Sequence, residues 1–294
     1  RAVIDATADR LGLSKDLAEA LAAKRVEILP IEALGGAVLP GEVSASAGAA
    51  TIAYAKAAIG LVEQGRAAAI VAGPHNETAV ARAGIAFSGY PGLLAEATGV
   101  DPDDVFLMLV SPRFRIVHTT LHIGVRQALD GLTAKRVSSA IRATDVALRR
   151  MGIDRPRIGV AGMNPHAGEG GLFGDDDDRI TAPAVAAARA DGIDAEGPTG
   201  ADLLLADGGH DAYVVMFHDQ GHIPIKLEGR GNALGISIGA PVLFSTVAHG
   251  SAHDIAGTGR ADPAALAGAI VKMAGLLNKE NAPKGGLHAD ADRI

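Results

Sequence analysis

Short apolar runs alternate with stretches of helical periodicity along the whole chain, and that alternation restricts it to a sheet flanked by helices. The runs are VEILPI (26–31), AAAIVAG (67–73), VFLMLV (105–110), RIVHTT (115–120), IGVAGM (158–163), AYVVMF (212–217), GISIG (235–239) and PVLFSTV (241–247). Helical spacing covers 2–23 with a break near Gly12, Ser44 to Gln64, 91–98, 124–130, Thr133 to Met151, a segment capped by Asp175 to Asp178 that reaches Asp191, and 262–279. Four carboxylates at a helix N-terminus suit its dipole. The pattern predicts an α/β fold with a largely parallel sheet, or two of them, and helices on both faces. A length of 294 residues favours two lobes sharing a cleft. Because Arg1 opens in a helical pattern rather than a strand, a preceding segment is expected.

Composition narrows the function. Aromatic residues are 3% of the chain and Trp is absent, which leaves little to stack on nucleic acid bases. A formal net charge of −7 also argues against a phosphate-backbone binder, so no nucleic acid partner is expected. With no cysteine there are no disulfides or thiolate ligands, and a metal would rest on His and carboxylates. No apolar run reaches the roughly 20 residues that span a bilayer, and no signal peptide is visible. The expectation is a cytoplasmic protein with no membrane partner.

In folds of this class chemistry gathers beyond the carboxyl ends of strands. Seven of the ten histidines fall at or just past a predicted strand end: His75, His118, His122, His166, His218, His222 and His249. Taken singly, each reads as a hydrogen-bonded loop residue. Jointly, three from separate strand ends could bind Zn²⁺ or another divalent ion with open positions, although spacing does not say which three. The stretch NPHAGEGGLFGDDDD (164–178) lacks GxGxxG spacing, and its aspartates would repel a phosphate. Its glycines bring backbone close to a ligand or simply make a turn. Lys226 closes FHDQGHIPIK, either as a surface residue on an edge strand or as a proton carrier. Asp202 and Asp219 read as cap or turn residues, or as neighbours of a metal.

Taken in order, NPHAGEGGLFG, GPTGAD, FHDQGHIPIK and VAHGSAHDIAG resemble the 4-hydroxythreonine-4-phosphate dehydrogenase family, over essentially the whole chain. The resemblance implies two α/β/α lobes like those of isocitrate and isopropylmalate dehydrogenases, here 1–84 with 250–294 and 85–249. It also implies a homodimer whose active site lies at the subunit interface. The implied reaction is NAD-dependent oxidation of a β-hydroxy acid followed by decarboxylation, with a divalent ion (zinc first, then cobalt, manganese or magnesium). On matching positions, the metal ligands would be His122, His166 and His218, and the catalytic residues Lys226 and Asp202. Substrate contacts would come from His75, Asn76, Tyr90, Lys226 and Phe244, and cofactor contacts from Gly168, Gly170, Gly171, His249 and Gly250. The family's opening GDPxGIGPE loop is lacking.

Departures from the family pattern bear on substrate. Gly89, Tyr90 and Pro91 replace Gly-His-Thr, PHNETA (74–79) replaces PINKEA, and Gly235 and Phe244 replace an Asn and an Arg. Losing a His, a Thr and an Arg while gaining Glu77 suits a phosphate dianion poorly. PHNETAVARAGIAFSGYPGLLA instead resembles the branch of terephthalate cis-dihydrodiol dehydrogenases, implying a cyclic dihydrodiol carboxylate as substrate. The alternatives are 4-phosphooxy-threonine or another phosphorylated four-carbon acid, and a catalytically silent metal-binding protein.

Overall fold

The computed structural model describes residues 1–36, 39–87, 89–229, 233–247 and 249–277. Ala248 of VAHGSAHDIAG, the last two residues of the expected 262–279 helix and the 278–294 part of the first expected lobe lie outside the described residues. Eight described strands form one sheet: β1 (Ile70–Ala72), β2 (Phe106–Val110), β3 (Arg115–His118), β4 (Arg157–Ala161), β5 (Asp194–Thr199), β6 (Ala212–Val215), β7 (Leu234–Ile238) and β8 (Phe244–Thr246). Their spatial order is β1-β8-β7-β2-β3-β6-β4-β5.

The sheet is mixed, which corrects the expectation of a largely parallel one. β2 runs antiparallel to both β3 and β7, and β7 runs antiparallel to β8. Connection length is the reason. Only 111–114 separate β2 from β3, closed by Ser111 N–H to Phe114 C=O at 2.8 Å, and a parallel crossover needs a dozen residues or more. The flank β3-β6-β4-β5 is parallel throughout.

Helices cover both faces of that flank. α7 (Ala134–Arg150) and α8 (Ala182–Ala190) pack on one face, and α9 (Ala201–Asp207) and α10 (His218–Gly229) on the other. The strands' period of two divides the core accordingly. Val117, Ile158, Val160 and Val214 turn toward α7, while Ile116, Ala161, Tyr213 and Val215 pack in a second cluster with Leu204 and Ile225. A third cluster lies over β1 and β8, built from α3 (Ala45–Glu63), α4 (Glu77–Arg82) and α5 (Tyr90–Thr98). It unites Ile52 and Val80 with Tyr90, Leu94 and Phe244, so it spans the expected boundary at 84/85.

Helix α3 is 19 residues long and apolar enough to pass for a membrane span, where the sequence reading saw none. Here Gly48, Ala50, Ile52, Ala55 and Ile59 form its buried face, and a Cβ at Gly48 would collide with the Ala79 carbonyl of α4. The remaining helices are α1 (Ala2–Leu11), α2 (Ser14–Ala22), α6 (Val125–Gly131) and α11 (Ala264–Leu277). Gly12, at φ 69°, breaks α1 from α2 as expected. Residues 26–31, expected as a strand, stay out of the sheet. Val26, Leu29 and Ile31 are exposed and pair with none of the described strands.

Candidate active site

Four neighbouring parallel strands deliver polar side chains to one edge of the sheet. β3 ends at His118 and runs on through Thr120 to His122; β6 leads into α10 at His218. β4 leads to a turn carrying His166, and β5 leads to Gly200 and Asp202 at the start of α9. A Cβ on Gly200 would lie 3.0 Å from Asp202 Oδ1 and 3.5 Å from His166 Cα, so these two segments touch.

The segment Phe217 to Lys226 does not continue a strand; it turns into α10, which corrects the edge-strand reading of Lys226. Gly221 and Pro224 disfavour a helix by propensity. Tertiary contacts override them. Gln220 Oε1 accepts from the N–H groups of Met216 (2.9 Å) and Phe217 (3.1 Å), and Gln220 Nε2 donates to the Gly162 carbonyl (3.0 Å). One side chain thereby ties the ends of β6 and β4 to the first turn. Helical spacing then sets His218, His222 and Lys226 on one face at i, i+4 and i+8.

A histidine cluster forms where α10 meets β3. His218 and His222 stack with centroids 3.7 Å apart and planes 12° from parallel. His222 Nδ1 lies 3.0 Å from His118 Nε2, and His118 Nδ1 lies 3.4 Å from the Leu107 carbonyl. The His122 and His218 rings stand 5.6 Å apart and line a cavity of about 390 Å³ with Thr120, Phe217 and Asp219. His218 Nδ1 pairs with Asp219 Oδ1 at 2.7 Å, leaving Nε2 as the lone-pair nitrogen of the neutral ring.

Burial, then the neighbouring His222, pushes the His118 imidazole down to about 3; burial, then His218, pushes His222 down to about 4. His118 is 1% exposed, and both rings are neutral near neutral pH. The unfolded chain takes up a proton on His118 below about 6.5 that the native protein refuses. This contribution to stability is therefore complete above that pH and is lost as pH falls toward 3, approaching about 1.4 kcal/mol per pH unit. Urea titrations between about pH 7 and 4 should show wild type losing more stability than His118→Gln. Parallel curves would contradict this assignment.

The turn after β4 is strained and clamped. His166, Ala167 and Glu169 all occupy the left-handed region (φ 53°, 53° and 46°), a conformation that costs about 1–3 kcal/mol at such residues. Asp177, 1% exposed, holds it: its oxygens accept from Met163 N–H (2.7 Å), Asn164 N–H (2.9 Å) and the Thr181 hydroxyl (2.6 Å). The expected cap of four aspartates thus divides. Asp177 faces inward onto the turn, and a single π-type turn (Asp177–Thr181) leads into α8. His166 Nδ1 is 3.0 Å from Glu169 Oε2. Among the described residues no three His, Asp or Glu side chains are grouped to hold one ion. His122 and His218 meet; His166 does not join them.

The other expected contacts lie elsewhere. His75, Phe87, Tyr90 and Phe244 form an aromatic group with neighbouring centroids 4.4–5.5 Å apart. Within it Phe244 is 1% exposed and backs Tyr90. Asn76 caps α4 through the Ala79 N–H (2.8 Å) and reaches Ser251 Oγ (3.3 Å). His249 and Gly250 line a cleft of about 860 Å³ between α1 and the 249–262 segment. Gly168, Gly170 and Gly171 are not among that cleft's lining residues; they shape the turn after β4, where a Cβ on Gly168 would stand 2.8 Å from the Gly174 carbonyl. The expected cofactor residues therefore fall in two places.

The family model for pyridoxal phosphate biosynthetic protein PdxA matches residues 3–274. The chain belongs to the PdxA family. A 1,2-dihydroxy-3,5-cyclohexadiene-1,4-dicarboxylate dehydrogenase from a Comamonas species is 52% identical over 226 residues, 77% of this chain and 72% of that one. The crystal structure of a terephthalate 1,2-cis-dihydrodiol dehydrogenase from Burkholderia xenovorans LB400 is 51% identical, with TM-score 0.69 over 83% of this chain and 77% of its own. That of a 4-hydroxythreonine-4-phosphate dehydrogenase from Klebsiella pneumoniae is 41% identical, with TM-score 0.76 over 85% and 77%. Gln220 and Asp177, neither of them expected as a site residue, hold the backbone of this PdxA-family site; Gln220 directly follows FHD, and Asp177 sits in the aspartate run that ends the NPHAGEGGLFGDDDD motif.

Proposed function

We propose that this PdxA-family protein is a cytoplasmic, homodimeric dehydrogenase that oxidises and decarboxylates a cyclic dihydrodiol carboxylate with NAD. The observation that carries the reading is the placement of His122, His218, His166 and Asp202 just past the ends of four adjacent parallel strands, with Lys226 on the same helix face as His218. The 52% identical relative, named for a ring diol bearing two carboxylates, supports the substrate class. So does Glu77, whose carboxylate stands 3.8 Å from His75 Nε2 and would repel a phosphate.

NAD, when bound, supplies the hydride acceptor, and the cleft beside His249 and Gly250 has room for it. The chain's own residues manage the protons. Lys226, with Asp202 as the other expected catalytic group, removes the hydroxyl proton as the carbinol hydrogen leaves as hydride. The resulting β-keto acid loses CO₂, the electrons of the broken C–C bond complete an aromatic ring as a catecholate, and Lys226 returns its proton to the oxygen it came from. The Tyr90 group offers aromatic edges to a ring.

A divalent ion belongs to the proposal, but two imidazoles from one chain are too few to hold it. That shortfall is what a site at a subunit interface entails. Val125 (71% exposed), Leu172 (73%) and Leu227 (75%) lie on segments that leave the same edge of the sheet, and a second copy of the chain would cover them.

The test is NADH formation from the terephthalate dihydrodiol and, separately, from 4-phosphooxy-threonine, before and after chelation. Turnover of the diol, abolished by chelator, is expected. Turnover of the phosphorylated acid alone would replace the substrate, and no NADH from either would leave a silent metal-binding protein.

A further inference from the structure

Helix α10 meets the sheet through an arrangement that the proton steps above do not use. Gly221 lies directly over His118: a Cβ there would collide with His118 Nε2 and stand 2.8 Å from Ile116 Cγ2. The missing side chain lets the helix settle onto a buried ring.

Hydrogen-bond direction then follows from the groups themselves. The Leu107 carbonyl only accepts, so neutral His118 carries its proton on Nδ1 and leaves Nε2 as an acceptor. His222 Nδ1–H must donate to that nitrogen, 3.0 Å away, and the His218 carbonyl at 3.3 Å is a second acceptor for the same proton. This fixes both the tautomer and the plane of His222, and His222 lies flat against His218. Burying His118 and half-burying His222 carries a desolvation cost that an apolar pair would avoid. Direction is what they add.

We propose that His118 and His222 are positioning residues, an imidazole pair anchored on the buried His118 that holds the His218 ring in one plane, with its tautomer set by Asp219, so that its Nε2 lone pair meets an electron-pair acceptor. The proposal rests on the reading of His218 as a residue of the site. The pair touches no substrate; it acts through His218, as the partners behind a metal-binding or proton-accepting histidine do.

Packing alone and positioning predict different outcomes for two substitutions at one place. Gln at 118 can donate to Leu107 with its amide nitrogen and accept from His222 with its amide oxygen; Leu fills the space and does neither. The experiment uses the full chain with ¹⁵N-labelled histidine, free of metal and substrate, and reads the His218 ring signals in proton–nitrogen correlation spectra. Wild type and His118→Gln should show one sharp set of ring signals, whereas His118→Leu and His222→Leu should show them broadened by exchange between ring orientations. In turnover, the two Leu variants should lose about tenfold in kcat with KM for NAD unchanged. His118→Gln behaving like His118→Leu would reduce the pair to packing and overturn the proposal. So would one sharp set of His218 ring signals in every variant. Should wild type oxidise no hydroxy acid, the reaction assigned above falls while the nitrogen spectra still decide the pair.

Discussion

Replacing Lys226 with Met is expected to lower kcat by roughly 10²- to 10⁴-fold, the range for loss of a positioned proton carrier. Lys226 is exposed on α10 two turns beyond His218, so the substitution removes an amine and no core contact. Stability should stay within about 0.5 kcal/mol of wild type. The measurement is kcat at saturating NAD and diol beside a thermal melt, followed by added small primary amines. Partial recovery by the amines would assign the lost function to the ammonium group. A kcat within threefold of wild type, about 0.6 kcal/mol in barrier, would move the proton to Asp202 or to water.

Asp177→Ala should produce the largest loss of stability among single substitutions near the site. The carboxylate is buried and accepts three hydrogen bonds, two from backbone amides at the end of β4. Alanine strands those amides away from water, at about 1–3 kcal/mol each. A total near 3 kcal/mol corresponds to a drop in melting temperature of roughly 5 °C for a chain of 294 residues. Asp177→Asn is not a rescue, because its amide nitrogen would face one of the two N–H donors. Activity should fall further than the folded fraction does, since the turn it clamps carries His166 in a left-handed conformation. A loss under about 1 kcal/mol would mean that the amides find other acceptors.

The sequence made the frame legible wherever periodicity and connection length agreed. Seven of the eight apolar runs became strands, and the four residues between β2 and β3 already required the hairpin that breaks parallel order. VEILPI is the exception: Val26, Leu29 and Ile31 stay exposed outside the sheet, so an apolar run alone did not make a strand. β5 was missed because DAEGPT holds a single apolar side chain buried in the sheet, Ala195. Helix α10 was missed because Gly221 answers to His118 rather than to its own backbone, a pairing across more than a hundred residues that no local pattern carries. Family motifs placed His122 and His218 where two rings do meet. They did not foresee the turn that directs His166 to Glu169, nor the burial of Phe244.

The central hairpin also has a kinetic meaning. β2 and β3 close through four residues and lie in the middle of the sheet, whereas β1 finds β8 by joining residue 70 to residue 244. Hairpins form in about 1–10 μs, and pairings between distant segments wait on a much larger entropy of closure. The hairpin is thus the natural nucleus: it offers β3 as a template for β6 on one side and β2 for β7 on the other. The flank that carries His122 and His218 and the cleft beside His249 would then mature as separate, later events on a seam that is already in place.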